Sequence, residues 1–452
     1  MNSINQNHDK NDLLNFIHEF VSLIGLGKIT QRVNFKRRTN LTLFQLLKWL
    51  LMVKLSGRSL YRATTSQSFT SRTVRNVLND GRINWQRLVC LIAQALIKHL
   101  RPLIDHRRRL AFIVDDTLFS REYARTTELL ARAYDHDQGR FCRGYRALTL
   151  GWSDANTFLP VNYALMSSKT PRNVLGRPAQ TTDQRSLAGR RRHQAQRKMT
   201  SVVIELIQQA LKNGVPAQYV LFDSWFSSPT AFHQLKQLGL DGLGMLKRSA
   251  KVSYFYRGRQ LSVKAIYQLL KASNYHPKSA YQYSCLVQAH VGTLHFPFRL
   301  VFVANRHRRS SYLVLGTTQT QLRPNEIIQL YGRRWQIENY FKFAKQYLRL
   351  DKSQIQSYDG LCGHLAVVML AYDLLAWQER QVKDDRTLGD LFYWLNAALP
   401  DIALADALVW LLNQLKSLLK KEVALRKSVI ETLLGHFLTH LPAVLTRELV
   451  SA

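Results

Sequence analysis

Apolar positions near the start of the chain recur with helical spacing. Leu13, Leu14, Ile17, Phe20, Val21 and Ile24 fall at i, i+3, i+4 and i+7, the signature of one buried helix face. A second helix is expected over 41–55, stopping at Ser56-Gly57. Two short helical stretches, 59–65 and 70–79, flank a polar break at 66–69. They fit a helix-turn-helix whose second helix offers Arg72 and Arg75 to a DNA groove. An ordinary helical hairpin with solvated arginines fits the same pattern.

The period changes at Leu110. Leu110-Ala-Phe-Ile-Val-Asp-Asp is a short apolar run ending in acid, expected to be a buried strand with carboxylates at its C-terminal edge. Two more strands are expected near 145–152 and 158–166, joined by a turn at Asp154-Ala-Asn. The basic stretch 171–198 reads as a loop running into a helix. Val202, Val203, Leu206, Ile207, Ala210 and Leu211 form that helix's apolar face before it stops at Asn213-Gly214. Tyr219-Val-Leu-Phe-Asp223 is a second apolar run ending in acid. From 240 to 318, β-branched and aromatic residues dominate, with turns at Arg257-Gly258 and Val291-Gly292. A long helix is expected from Pro324 through Lys345, and helix again from 351 to the end.

These elements predict an α/β core with a mixed sheet, a β-rich insertion and all-α N-terminal and C-terminal regions. The expected divisions are 1–105, 106–239, 240–320, 321–352 and 353–452. Composition adds a partner. Among 452 residues, 64 Lys and Arg face 30 Asp and Glu, a net charge of +34. Such a surface repels itself unless a polyanion lies against it, and nucleic acid is the expected one. With 46% hydrophobic residues, the chain can bury a large core. The N-terminal MNSINQNHDKNDLL lacks the pattern of a secretory signal. Charges interrupt the apolar stretches 43–55 and 364–377, so no membrane span is expected. Cys90, Cys142, Cys285 and Cys362 are scattered without Cys-x-x-Cys spacing, which argues against a zinc site or a disulfide framework and for a reducing, intracellular setting.

An Asp at a strand end is either a cap or a metal or acid/base group. The segment Tyr331-Gly-Arg-Arg-Trp-Gln-Ile-Glu-Asn-Tyr-Phe-Lys-Phe-Ala-Lys345 tilts that choice. At ~100° per residue, Tyr331, Arg334, Glu338 and Lys345 share one side of a helix. One carboxylate between fixed cations suits a metal ligand beside a phosphate track. The segment is also richer in aromatics than a solvated face.

Tyr331-(2)-Arg334-(3)-Glu338-(6)-Lys345 resembles the Tyr-Arg-Glu-Lys signature of the IS4 family of insertion-sequence transposases, at full spacing. Asp115-Asp116-Thr117 is similar to that family's first-strand Asp-Thr, and Leu221-Phe-Asp223-Ser to its second-strand Asp. The resemblance implies an RNase H-like core with a DDE triad, Asp116, Asp223 and Glu338, holding Mg²⁺ or, in substitution, Mn²⁺. Two such ions would assist phosphodiester cleavage and transfer of a 3′-hydroxyl to target DNA. Tyr331, Arg334 and Lys345 would grip the terminal inverted repeat. Neighbouring strand residues face opposite sides, so only one of Asp115 and Asp116 can face the metals. Asp116 is the expected one, because it precedes Thr117. Arg190, Arg191 and Arg192 are expected to track DNA backbone, with Arg197-Lys198 close behind. The expected working unit is a homodimer on DNA, with helices from Leu361 onward, including Trp377, Trp394 and Trp410, in part of its interface. An RNase H-like nuclease and a catalytically silent, transposase-derived DNA-binding protein are the rival readings.

Overall fold

The computed structural model describes residues 15–33, 41–55, 69–135, 138–273, 281–304 and 312–381, with isolated positions 388, 429 and 432. Residues 15–23 are helical, and Gly25, at φ 62°, turns the chain into α1 (Leu26–Gln31). A left-handed φ is open to glycine without strain. Three helices follow: α2 (Leu43–Leu55), α3 (Ser71–Leu78) and α4 (Trp85–Leu100). The Thr70 hydroxyl accepts the Thr73 amide to cap α3, and Asn84 accepts the Arg87 amide to cap α4. Arg72 and Arg75 are exposed on α3. The helix expected at 59–65 lies outside the described residues.

Eleven strands form one mixed sheet among the described residues. They are β1 (Ala111–Ser120), β2 (Ala131–Asp135), β3 (Arg140–Ser153), β4 (Phe158–Met166), β5 (Tyr219–Phe222), β6 (Asp241–Met245), β7 (Ser253–Tyr256), β8 (Arg259–Ser262), β9 (Tyr281–Val291), β10 (Leu294–Ala304) and β11 (Tyr312–Thr317). Their order is β2-β3-β1-β5-β6-β11-β10-β9-β7-β8, with β4 also paired to β3. Pairing is parallel for β1 with β5 and for β5 with β6, and antiparallel elsewhere in the ladder. Parallel strands are buried on both faces, which explains why 111–114 and 219–222 are continuously apolar and buried.

Four expectations change here. Strand β1 runs six residues beyond Val114, so Asp115 and Asp116 lie within it. The strands from 241 to 317 extend the central sheet, with β6 and β11 as its direct continuation. The basic stretch contains its own helix, α5 (Leu187–Ala195), separate from α6 (Met199–Lys212). A short helix, Pro229–Gln237, joins β5 to β6, and α7 (Val263–Ala272) follows β8. The single helix expected over 324–345 is two, interrupted at 333–334. Thus α8 is Pro324–Gly332 and α9 is Trp335–Gln346. Amides of Arg333, Arg334, Gln336 and Ile337 each bond the carbonyl three residues back, a tightened turn just after Gly332.

The last described helix, α10 (Tyr358–Gln381), is long and apolar enough by composition to cross a membrane, contrary to the expectation from its charges. Its apolar window is entirely buried within the protein, packed against α2, α3, α4 and β4. Residues 358–377 are all buried, so this part of the region from Leu361 onward presents no face for a dimer interface. Trp377 belongs to the core, while Trp394 and Trp410 lie outside the described residues.

Candidate active site

Parallel register brings two carboxylates together. Ala111 pairs with Tyr219, and the ladder runs in step to Val114 and Phe222. The next residue on each strand is an aspartate, Asp115 on β1 and Asp223 after β5. In-register neighbours on parallel strands face the same side. Each carboxylate is anchored by the following amide: Asp116 N–H donates to Asp115 Oδ1 at 2.8 Å, and Ser224 N–H to Asp223 Oδ1 at 2.5 Å. Close packing around β5 fixes this end of the sheet. A Cβ on Gly244 of β6 would lie 2.4 Å from the Phe222 ring and 2.6 Å from Ser227 Oγ.

The third carboxylate arrives on α9, which packs on β1. Arg334 Nη1 donates to Asp115 Oδ2 at 3.0 Å, and its Nη2 to Glu338 Oε1 at 2.5 Å. One guanidinium therefore bridges the strand carboxylate and the helix carboxylate. Its carbon lies 5.9 Å from the centre of the half-buried Tyr331 ring. Burial pushes the Tyr331 phenol up to about 12. Burial also pulls Arg334 down, but Tyr331, Glu338 and Asp115 more than offset it and leave the guanidinium raised. The site also holds an unsatisfied donor, since Arg334 Nε is buried with no hydrogen-bond partner.

Asp115 is the most perturbed carboxyl of this group. Burial, and then the negative charges of Asp116 and Asp223, push it up to about 7 against the opposing pull of its amide bond and of Arg334. Asp116, the residue expected from the sequence, is placed differently. The Asp116 side chain points to the other face of β1, where it pairs with Arg146 of β3 and is only 4% exposed. The cause is strand alternation together with the register of β5.

Other expected positions divide. Lys345 is half-buried two turns beyond Glu338 on α9. Arg333 donates to the Arg109 carbonyl at 2.7 Å and faces away from the carboxylates. Arg191 and Arg192 do not form an exposed DNA track. Arg191 pairs with Asp359, and Arg192 is 2% exposed, bonded to both Glu128 oxygens at 2.6 and 2.9 Å and to Asp359 at 2.7 Å. Buried cations require such partners, and these lie far away in sequence. Arg190 remains exposed.

The donor set suits a hard divalent cation, because it offers carboxylate oxygens without nitrogen or sulfur. Asp115 is raised chiefly by burial and further by its acidic neighbours, a cost that a bound cation would relieve. Arg334 is the counter-ion that occupies this role between Asp115 and Glu338. Among the described residues, no three His, Cys, Asp or Glu side chains are already placed to hold a metal ion together. The residues fit a metal by chemistry, and a shared ion requires the guanidinium to give way.

A comparison with curated proteins finds no match. Residues 34–264 match the family described as DDE superfamily endonuclease, a span containing Asp115, Asp116 and Asp223 and ending before Glu338. That span is just over half of the chain, and the mixed sheet with flanking helices is consistent with an RNase H-like DDE core. The chain belongs to the DDE superfamily endonuclease family.

Proposed function

We propose that the protein is a DNA transposase that cuts at the ends of its own insertion sequence and joins them to target DNA. The observation carrying this reading is the in-register pair Asp115 and Asp223, with Arg334 bridging Asp115 to Glu338. The Tyr331, Arg334, Glu338 and Lys345 spacing supports placing the chain near the IS4 transposases.

Members of the superfamily use divalent metals, usually Mg²⁺. Asp115, Asp223 and Glu338 would hold the metal here, which lowers the pKa of an attacking hydroxyl and stabilises the leaving oxygen. Asp115 must be ionised to serve as a ligand. Arg334 has one guanidinium for two claims, the carboxylates and a DNA phosphate. A phosphate drawing it away would free Asp115 and Glu338 for a common ion, coupling substrate arrival to assembly of the site. Tyr331 stiffens Arg334 from beneath, and Lys345 would add a second contact to the phosphate track. Terminal inverted repeats and target DNA are the proposed partners, with two protein copies acting on the two ends.

The test uses purified full-length protein, Mg²⁺ and a duplex ending in the element's terminal repeat. Covalent joining of that end to a second duplex supports transposition. Cutting without joining indicates a nuclease, and binding without cutting indicates a silent DNA-binding protein.

A further inference from the structure

A basic cleft lies beside α6, the helix that covers the sheet face opposite the carboxylates. Asp115 pairs with Thr149, and the adjacent Leu150 pairs with Asn162 on β4. Successive strand residues alternate faces, so Asn162 points away from the Asp115 side. Its amide donates to the Leu206 carbonyl and to Gln209 Oε1, both at 3.1 Å and both on α6. Helix α6 therefore covers the opposite face.

A cleft of about 640 Å³ opens between α6, α5 and the start of α4. Its walls carry Arg32, Arg87, Arg190, Arg191 and Lys212 against one carboxylate, Glu205. That carboxylate is already engaged by Arg197 at 2.8 Å, Gln194 at 2.9 Å and Gln209 at 3.2 Å. Arg191 is neutralised by Asp359. Arg190 bonds the carbonyls of Gln184 and Arg185, which leave its charge in place. Arg32, Arg87 and Lys212 form no ion pair among the described residues. Four cations thus surround one concavity without balancing acid, and a concave low-dielectric wall focuses such a field. The volume is in the range of ligand sites, and the charge selects a ligand with several phosphates.

We propose that this cleft binds phosphate groups of a nucleic-acid backbone, at a site separate from the carboxylate cluster. The argument rests on the charge and shape of the cleft and is independent of the catalytic reading.

The test measures binding of a fluorescein-labelled 30-base-pair duplex of arbitrary sequence by the full chain, without divalent metal, across a salt series. It compares the wild type with the Arg87→Gln, Lys212→Gln double variant, after thermal melting shows equal folding. Each phosphate contact contributes about 0.9 to the slope of log K against log salt, so the variant should lose about 1.8 and bind on the order of a hundred-fold more weakly at low salt. A parallel titration with inorganic tripolyphosphate distinguishes the phosphate source. Loss of tripolyphosphate binding with an unchanged duplex slope assigns the cleft to a free polyphosphate. Unchanged binding of both ligands by the variant, or no binding of either by the wild type, overturns the proposal.

Discussion

Asp115 and Asp116 are chemically identical neighbours held in opposite circumstances. Asp116 has its own arginine, whereas Asp115 shares Arg334 with Glu338 and feels the charges of Asp116 and Asp223. With Asp115 raised to about 7, its protonated form dominates below that pH and gives up ligand capacity. Metal binding should therefore weaken as pH falls from 8 to 6. A Mn²⁺ titration followed by electron paramagnetic resonance should show this loss, with the pH dependence largely absent in Asp115→Asn. Unaltered pH dependence in that variant would place the titrating group elsewhere. The alignment of Asp115 with Asp223 is legible in the sequence. Setting Ala111-Phe-Ile-Val against Tyr219-Val-Leu-Phe aligns Asp115 with Asp223, and each is the first acid after four apolar residues. The resemblance of Asp116-Thr117 to an Asp-Thr motif points instead to the neighbouring residue, which pairs with Arg146.

Among the elements, periodicity found most helices and strands because burial imposes it. The exceptions have physical causes. Strand β6 reads Asp-Gly-Leu-Gly-Met, its glycines hiding the pattern while Gly244 makes room for Phe222. Strand β2 is only five residues long and alternates two buried alanines with exposed Arg132 and Tyr134. Helix α5 was legible as basic, but Arg192's partners Glu128 and Asp359 are 64 and 167 positions distant and leave no local trace. Glu128→Gln should cost about 3–5 kcal/mol, since it strips a buried guanidinium of its main counter-charge. Urea unfolding measures the loss, and a change within about 0.5 kcal/mol would show the cluster to be energetically idle.

Helix α10 holds a different buried acid. Among the described residues, both buried Asp373 carboxylate oxygens have no hydrogen-bond partner, and burial raises this group well above the usual carboxylate range. The native protein keeps a proton here that the unfolded chain releases above about pH 4. Its contribution is fully present below that pH and is lost as pH rises toward the folded-state value. Asp373→Asn removes the titration. The stability of this variant relative to wild type should rise between pH 5 and pH 8, and a constant difference in urea unfolding would contradict it.

For the whole molecule, the excess of 34 positive charges opposes compaction unless anions screen it. Duplex DNA at low salt should raise the melting temperature, with the gain shrinking between 50 and 300 mM salt as screening and counterion competition grow. A gain insensitive to salt would show that DNA is held by contacts other than these charges. The charge excess is legible in the composition, but the cleft beside α6 needs the fold, because Arg32, Arg87, Arg190 and Lys212 come from separate segments.

The most direct test of the central claim is Mg²⁺-dependent cleavage of supercoiled plasmid by the wild type, Asp115→Asn, Asp116→Asn, Asp223→Asn and Glu338→Gln, each checked for folding. The account predicts that the Asp115, Asp223 and Glu338 variants lose at least about a hundred-fold in rate, consistent with loss of metal-assisted catalysis. It also predicts that Asp116→Asn retains cleavage within about ten-fold, since that side chain supports β3 from the other face. Full activity in Asp115→Asn, or its abolition in a folded Asp116→Asn, would contradict the assignment.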